Sequence, residues 1–479
     1  MTITKTKGAL RNMIAASCIG FGLLAPVSAT SETLADALVG AYNNSGLLDQ
    51  NRAVLRAADE DVAIAKSALK PVVRWTGDLT QNFNRTISGG SAFALPGTRT
   101  STDQLTTSIN LIASLLVYDF GASRFSVEAA KETVLATRET LVSIEQQILL
   151  RAVDAYMGVI QAEQIVSLRE NNMRLLTQEL RAARDRFEVG EVTRTDVALA
   201  EAQLAQARSG LAGAQGDLIS AKAYYKVAVG RAPGRLSRPP SLPRVSSTIA
   251  AAKGLAVRSH PDIKAVQHQV AAADLLIRSS QAQMEPQVSV QGSFGLTETF
   301  DSQASSRNGS VSLQVGQTLY QGGALSSAVR KNRAQRDAQR GNLHVVVKDV
   351  ERAVSDAYAG LASARAQIQA SERQVRAAEI AFQGIREEAA LGARTTLDVL
   401  DAEQSLLDAR SSSVTAQTQI YVAAYSVLQA TGQLTARDLK LPVQIYDPSA
   451  YYNLVKDGPA KFSKEGKQLD RVLRALQKD

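Results

Sequence analysis

Apolar and small residues recur at spacings of three and four from Leu141 through Ile144, Ile148, Ala152, Ala155, Val159 and Val166 to Phe187. The pattern returns from Leu343 through Val346, Val350, Val354, Ala357 and Leu361 to Ala389. That period is one face of an α-helix. It predicts two uninterrupted helices, 121–187 and 323–389, each 67 residues and so roughly 100 Å long. Each is followed by a turn, Val189-Gly190-Glu191-Val192-Thr193 or Leu391-Gly392-Ala393-Arg394-Thr395, in which glycine can take a left-handed cap and Thr or Asp can start a new helix. The helices that follow, 196–229 and 398–431, carry a seven-residue stripe alternating Ala with larger residues (Val197, Ala200, Leu204, Ala207; Val399, Ala402, Leu406, Ala409). Such a stripe packs as a coiled coil with close backbones. Two further helices, 32–70 and 249–285, complete the set, so that two shorter helices flank each long one end to end. On the helices alone, a soluble coiled coil would serve as well.

Four segments switch to a period of two: 72–84, 104–116, 287–299 and 310–320. Val73, Trp75, Leu79 and Phe83 alternate with Arg74, Thr76, Asp78 and Asn82, and Leu105, Ile109, Leu111 and Leu115 with Thr106, Ser108, Asn110 and Ser114. Val288, Val290 and Phe294 alternate likewise with Ser289, Gln291 and Ser293 in the third. Each run has about ten residues, one apolar face and one mostly uncharged polar face, as in a tilted strand that crosses a bilayer. A half-buried sandwich would alternate in the same way, but only two hairpins exist and each feeds a long helix. Four strands cannot close a barrel, and open edges are not tolerated in lipid. The barrel must therefore be shared between chains: two give eight strands, three give twelve, and only the wider leaves an aqueous lumen. Trp75, Phe83, Tyr118, Phe120 and Tyr320 fall near the expected strand ends.

The two sets of elements are copies. Leu34 to Pro71 matches Ile249 to Pro286 at one constant offset, while Tyr118 and Tyr320, Asp154-Ala155-Tyr156 and Asp356-Ala357-Tyr358, and Gly190 and Gly392 match at an offset thirteen residues shorter. The slip falls around Asn84 to Asp103, a Gly- and Ser-rich loop. A repeat of about 200 residues implies a pseudo-symmetric architecture. The chain divides into a first repeat, 30–230, a Pro-rich linker, 231–247, a second repeat, 248–432, and a C-terminal tail, 433–479, that ends in a short amphipathic stretch.

Composition adds restraints. Aromatics are 5% of the 479 residues, which favours slender helices over a thick core. Residues 1–29 have the form of a secretory signal: Lys5, Lys7 and Arg11, an apolar run from Met13 to Leu24, and Val27-Ser28-Ala29. The run is shorter than a spanning helix needs. Cys18, the sole cysteine, lies inside it, so the mature chain is expected to hold neither disulfide nor thiol nucleophile. The formal charge of +8 is spread along the helices rather than in blocks, against nucleic-acid binding. His260, His268 and His344 lack mutual metal spacing, and no Gly-rich phosphate loop follows a strand. No enzyme activity, metal or cofactor is expected.

An exported chain with duplicated helix-strand-strand-helix-helix units, VGEVTRTDV at the first tip and LGARTTLDVLDAEQSLL at the second, resembles the TolC family of outer-membrane channel proteins. The similarity spans 32–433. It implies a membrane α+β fold: a homotrimeric twelve-stranded β-barrel in the outer membrane, continuous with a periplasmic helical coiled-coil barrel, with the linker and tail in an equatorial belt. It also implies docking on a periplasmic adaptor and an inner-membrane pump, in drug efflux or type I secretion. By the same resemblance Asp398 and Asp401 would form carboxylate rings at a constricted inner end. Such rings favour cations and raise one another's pKa. Arg394 would tie its hairpin to Thr195 and Asp196, and the turns at Gly190, Glu191, Val192, Gly392 and Ala393 would meet the adaptor. The chain departs from the family at Ala389, where a tyrosine is usual in that latch. Helix capping is an equally physical role for Thr195, Asp196 and Asp398, compatible with the first. A passive pore or a periplasmic structural rod stands as the alternative function.

Overall fold

The computed structural model describes residues 31–87, 99–300 and 304–476. The expected signal segment with Cys18, the centre of the first hairpin loop and the last three residues lie outside them. In chain order the elements are α1 (Leu34–Asn44), α2 (Gly46–Ser67), β1 (Val72–Ile87), β2 (Arg99–Tyr118), α3 (Ala122–Glu188) and α4 (Arg194–Val229). The second copy gives α5 (Ile249–Ser259), α6 (Pro261–Ala282), β3 (Gln287–Thr299), β4 (Ser305–Gly316), α7 (Ala324–Ala390) and α8 (Thr396–Ala430). The tail adds α9 (Pro448–Val455) and α10 (Lys464–Leu476).

The long helices α3 and α7 each run 67 residues without a break. The helices expected over 32–70 and 249–285 do break, at equivalent places. Ser45 is extended (φ −78°, ψ 106°) and its Oγ accepts from Leu48 N at 3.3 Å, opening a new helix. His260 is extended because Pro261 follows it, and the proline then occupies the first turn of α6. Each break falls at the waist of the molecule, where α1 packs on α3 and α4 and α5 on α7.

The four strands form one antiparallel sheet in the order β1-β2-β3-β4. Register carries the apolar face across it: Val73 faces Ala113, which faces Gly292, which faces Val311, and Trp75 faces Leu111, which faces Phe294. Thr76, Asn110, Gly295 and Asn308 continue the opposite face. Trp75 is 71% exposed and Val311 83%, an apolar face left bare by the described residues.

Two strand expectations change. β1 and β2 extend to Ile87 and back to Arg99, into the expected loop, because polar pairs such as Asn84 with Thr102 and Arg85 with Ser101 continue the ladder as a two-stranded ribbon. β4 begins at Ser305 and ends at Gly316, so Leu319 and Tyr320 lie in the connection to α7, where the Gln317 side chain donates to Met284 O.

The largest core lies at the waist. Leu149, Val153 and Tyr156 of α3 pack with Leu34 and Leu38 of α1, Tyr225 and Val229 of α4, Tyr425 and Leu428 of α8, and Leu434 and Ala436 of the tail. The duplicated tyrosines pin the linker: Tyr156 OH donates to Ser237 O at 2.8 Å and Tyr358 OH to Ser246 O at 2.9 Å. The Pro-rich segment is thus held against the middle of both long helices. No helix among the described residues is long and apolar enough to cross a membrane.

Candidate functional site

The end of the rod remote from the sheet carries the two helix tips. At the first, Gly190 takes φ +81°, its N–H donates to Phe187 O and that of Glu191 to Arg186 O. α4 then starts on a capping box: Thr193 N and Oγ1 donate to Asp196 Oδ2 at 2.9 and 2.7 Å, and Asp196 N donates back to Thr193 Oγ1. The second tip repeats this around Gly392 (φ +77°), with Thr395 N and Oγ1 donating to Asp398 Oδ2 at 2.9 and 2.8 Å. Thr193 and Thr395 therefore satisfy the first orphan donors of both helices. Both carboxylates are held below the usual range: side-chain and then backbone bonds from Thr193 act on Asp196, and backbone and then side-chain bonds from Thr395 on Asp398.

Asp398 and Asp401 share one face of α8 by their spacing of three, and Asp401 is exposed. The same face continues through the exposed Ser405 and Asp408, while Val399, Leu400, Leu406 and Leu407 point into the packing. The chain thus presents an acidic stripe beginning at its tip. Within one chain the depressed Asp398 is the reverse of the raised value a carboxylate ring implies, because the bonds from Thr395, with the nearby Arg394 adding to them, outweigh its slight desolvation.

Arg394 is not brought to Thr195 or Asp196. Its Nε donates to Glu388 Oε2 at 2.8 Å, inside its own hairpin, with both side chains about half exposed. Thr195, Glu191, Gly392 and Ala393 are exposed and Val192 is half-buried, so the turns are open to a partner.

Above the tips, Leu176, Leu180 and Ala183 of α3 pack with Ala200, Leu204 and Ala207 of α4, and Leu400 of α8 enters the same cluster. One turn further on, Glu403 is buried in the seam between α8 and α3, and its Oε1 accepts from Asn172 Nδ2 at 2.9 Å. Among the described residues its buried Oε2 has no partner. Burial pushes Glu403 up to about 7; Asn172 opposes the shift, Glu179 adds to it, and Arg386 opposes it. Sequence reasoning passed over this residue, although a charge four residues after Val399 and three before Leu406 interrupts the apolar stripe.

A protein-family model described as "Outer membrane efflux protein" matches residues 38–231 and 254–433. Outer membrane efflux protein BepC of Brucella suis is 36% identical over 453 residues, covering 94% of this chain and 96% of that protein. Alkaline protease secretion protein AprF of Pseudomonas aeruginosa is 26% identical over 338 residues, 68% of this chain and 69% of AprF. The crystal structure of the Campylobacter jejuni CmeC outer membrane channel superposes with a TM-score of 0.73 at 15% identity, over 93% of this chain and 92% of CmeC. That likeness is one of fold.

Proposed function

We infer that this chain, which belongs to the outer membrane efflux protein family, is the outer-membrane exit duct of a tripartite efflux or type I secretion system. Its place is the outer membrane, with the helices extending into the periplasm. The observation that carries the reading is the unfinished sheet. β1 and β4 are unpaired edges of a four-stranded sheet whose apolar face is bare, and lipid accepts neither open edges nor unpaired backbone groups. Pairing β4 of one copy with β1 of the next closes twelve strands in a homotrimer, wide enough for an aqueous lumen. The same three-fold axis gathers the long helices into a tunnel roughly 100 Å long, whose inner end carries Asp398 and Asp401 from each protomer.

In this arrangement the tips form the gate. Rings of Asp398 and Asp401 narrow the entrance and favour cations, and Arg394, on exchanging Glu388 of its own hairpin for a partner on the neighbouring one, would restrain the second hairpin until an adaptor, driven by an inner-membrane pump, engages the exposed turns. Opening moves α7 and α8 outward from α3 and α4. Small drugs and unfolded proteins would share this path, in keeping with relatives named for efflux and for protease secretion.

The outer-membrane fraction should yield a heat-sensitive trimer, and deletion should bring antibiotic hypersensitivity or loss of a secreted protein. A trimer whose deletion changes neither would make it a passive pore, and absence from that fraction would make it a periplasmic rod. In planar bilayers, Asp398→Ala with Asp401→Ala should weaken cation preference; unchanged selectivity overturns the gate assignment.

A further inference from the structure

A second polar contact of α8 lies deeper than the tip, on the side packed against α3. Glu403 is 4% exposed and Asn172 6%, so their hydrogen bond crosses a buried seam between α8 and α3, with a small polar cleft lined by Asn172, Arg169 and Gln404 beside it. The seam is closed on the tip side by Leu400 against α3 and α4. Half of the carboxylate is unpartnered among the described residues. We propose that Glu403 and Asn172 form a proton-controlled clasp on the gate: with the carboxyl neutral, α8 stays seated on α3, and ionisation drives the carboxyl toward water and parts the seam. The proposal rests on the reading of the tips as a gate.

Every element around the carboxyl bears on this. α3 presents Asn172 and Glu179, the second a like charge, and α7 presents Arg386, an opposite one. α4 brings Ala200, Leu204 and Ala207 to the seam, and its Glu201 is engaged with Arg184 on the exposed side. Asp398 is occupied by its cap on Thr395. No cation makes a salt bridge to Glu403 among the described residues, so ionisation leaves a buried charge met by one amide and only at a distance by Arg386, an unfavourable arrangement while the seam stays closed.

The sign follows from the two environments. In the seated seam Glu403 titrates at about 7, and in water a glutamate titrates at 4.5. The seated form therefore binds the proton more tightly: its advantage is complete below 4.5 and is lost as pH rises toward 7. The seam-opening equilibrium of each protomer should rise across that window by at most about 300-fold, the ratio set by the separation of the two values.

The test is a distance. Spin labels on cysteines placed at Glu170 of α3 and Ser405 of α8, both exposed, report the seam in trimers diluted with unlabelled protomers. The long-distance population should grow at least several-fold from pH 5 to pH 8. Glu403→Gln should keep the pH 5 distribution at pH 8. Asn172→Ala, which removes a bond that favours the charged form, should move the midpoint to higher pH, a shift that a purely structural contact would not produce. A Glu403→Gln seam that responds to pH like the unsubstituted protein, or an unsubstituted seam that does not respond, overturns the clasp. Bilayer conductance over the same pH range separates the two readings: a seam that parts while conductance stays flat leaves the clasp standing and removes the gate.

Discussion

Replacing Glu32 tests whether the waist of the molecule is held by a few buried polar contacts. Glu32 precedes α1, and its carboxylate accepts from Tyr225 OH at 2.6 Å, Arg231 Nη2 at 2.7 Å, Arg231 Nε at 3.1 Å and Gly234 N at 3.2 Å. Its backbone forms a bridge to the linker through Arg235 O and Ser237 N. The side chain is 10% exposed, and Tyr225 is fully buried. Glu32→Ala strands the tyrosine hydroxyl, a loss of about 1–3 kcal/mol. Arg231, half exposed, can rehydrate and adds at most about 1 kcal/mol, so the total is about 3 kcal/mol. Glu32→Gln keeps an acceptor and should cost about half as much, the charge-assisted share. Tyr225→Phe should cost about 2 kcal/mol, a bond to a charged acceptor, and the double variant Glu32→Ala/Tyr225→Phe less than the sum, with a coupling of about 1–2 kcal/mol. The assay is urea unfolding at one fixed protomer concentration, since association feeds stability by mass action. Burial works to raise Glu32, but the bonds from Tyr225, Arg231 and Gly234 outweigh it and hold the carboxyl below 4.5. Its contribution is therefore complete at pH 7, and the gap between Glu32→Ala and the unsubstituted chain should narrow only as pH falls below 4.5. Additive costs, or a Glu32→Ala loss under about 0.5 kcal/mol, a typical surface value, would refute the argument.

Two other outcomes separate local from tertiary causes. Gly190 and Gly230 have nearly equal angles, φ +81° and +85°, but a Cβ at Gly190 meets nothing within 4 Å, while one at Gly230 would lie 2.4 Å from Asn44 Cβ. Gly190→Ala should thus cost only the left-handed strain, about 1–2 kcal/mol, and Gly230→Ala substantially more; equal shifts in urea midpoint would show that the α1 to α4 contact yields freely. At the second tip, Arg394→Ala should raise bilayer conductance while Glu388→Ala leaves it unchanged or lowers it, because freeing the arginine from its own hairpin releases it toward Thr195 and Asp196. Equal increases from both substitutions would mean that the Glu388 pair is itself the restraint.

What the sequence discloses depends on how local the cause is. The long helices are legible because one stripe repeats over many turns. The tips are legible because Thr193 with Asp196 and Thr395 with Asp398 are capping boxes written within four residues. The breaks at Ser45 and His260 also have local signals, a serine before glycine and a residue before proline, but the apolar stripe resumes on both sides and masks them. Glu403 meets Asn172 across 231 positions and Glu32 meets Tyr225 across 193. No periodicity reports such a pairing; only an out-of-place charge in an apolar stripe, as at Glu403, hints at it. The tail escapes for a related reason: Leu434 and Ala436 join the waist core from a segment with no period of its own.

The two repeats share a plan but not a mechanical role. Along α3 the buried positions run from Ala122 to Ala183, because α2, α4, α6 and α8 all lie against it. Along α7 they stop at Ser371, and Ile380, 72% exposed, lies beyond them toward the tip. In the proposed trimer that bare flank faces the neighbouring protomer. The second hairpin is thus held to its own chain near the tip chiefly through α8, whereas all its helices are locked at the waist by the linker, Tyr358 and the tail. A rod fixed at its middle and lightly packed at its end bends at the end, where local stability is lowest. If the tips form the proposed gate, this difference between the copies selects the second hairpin as its moving part. In that gate the seam under α8, where Leu400 and Glu403 meet α3, would be the contact to part first.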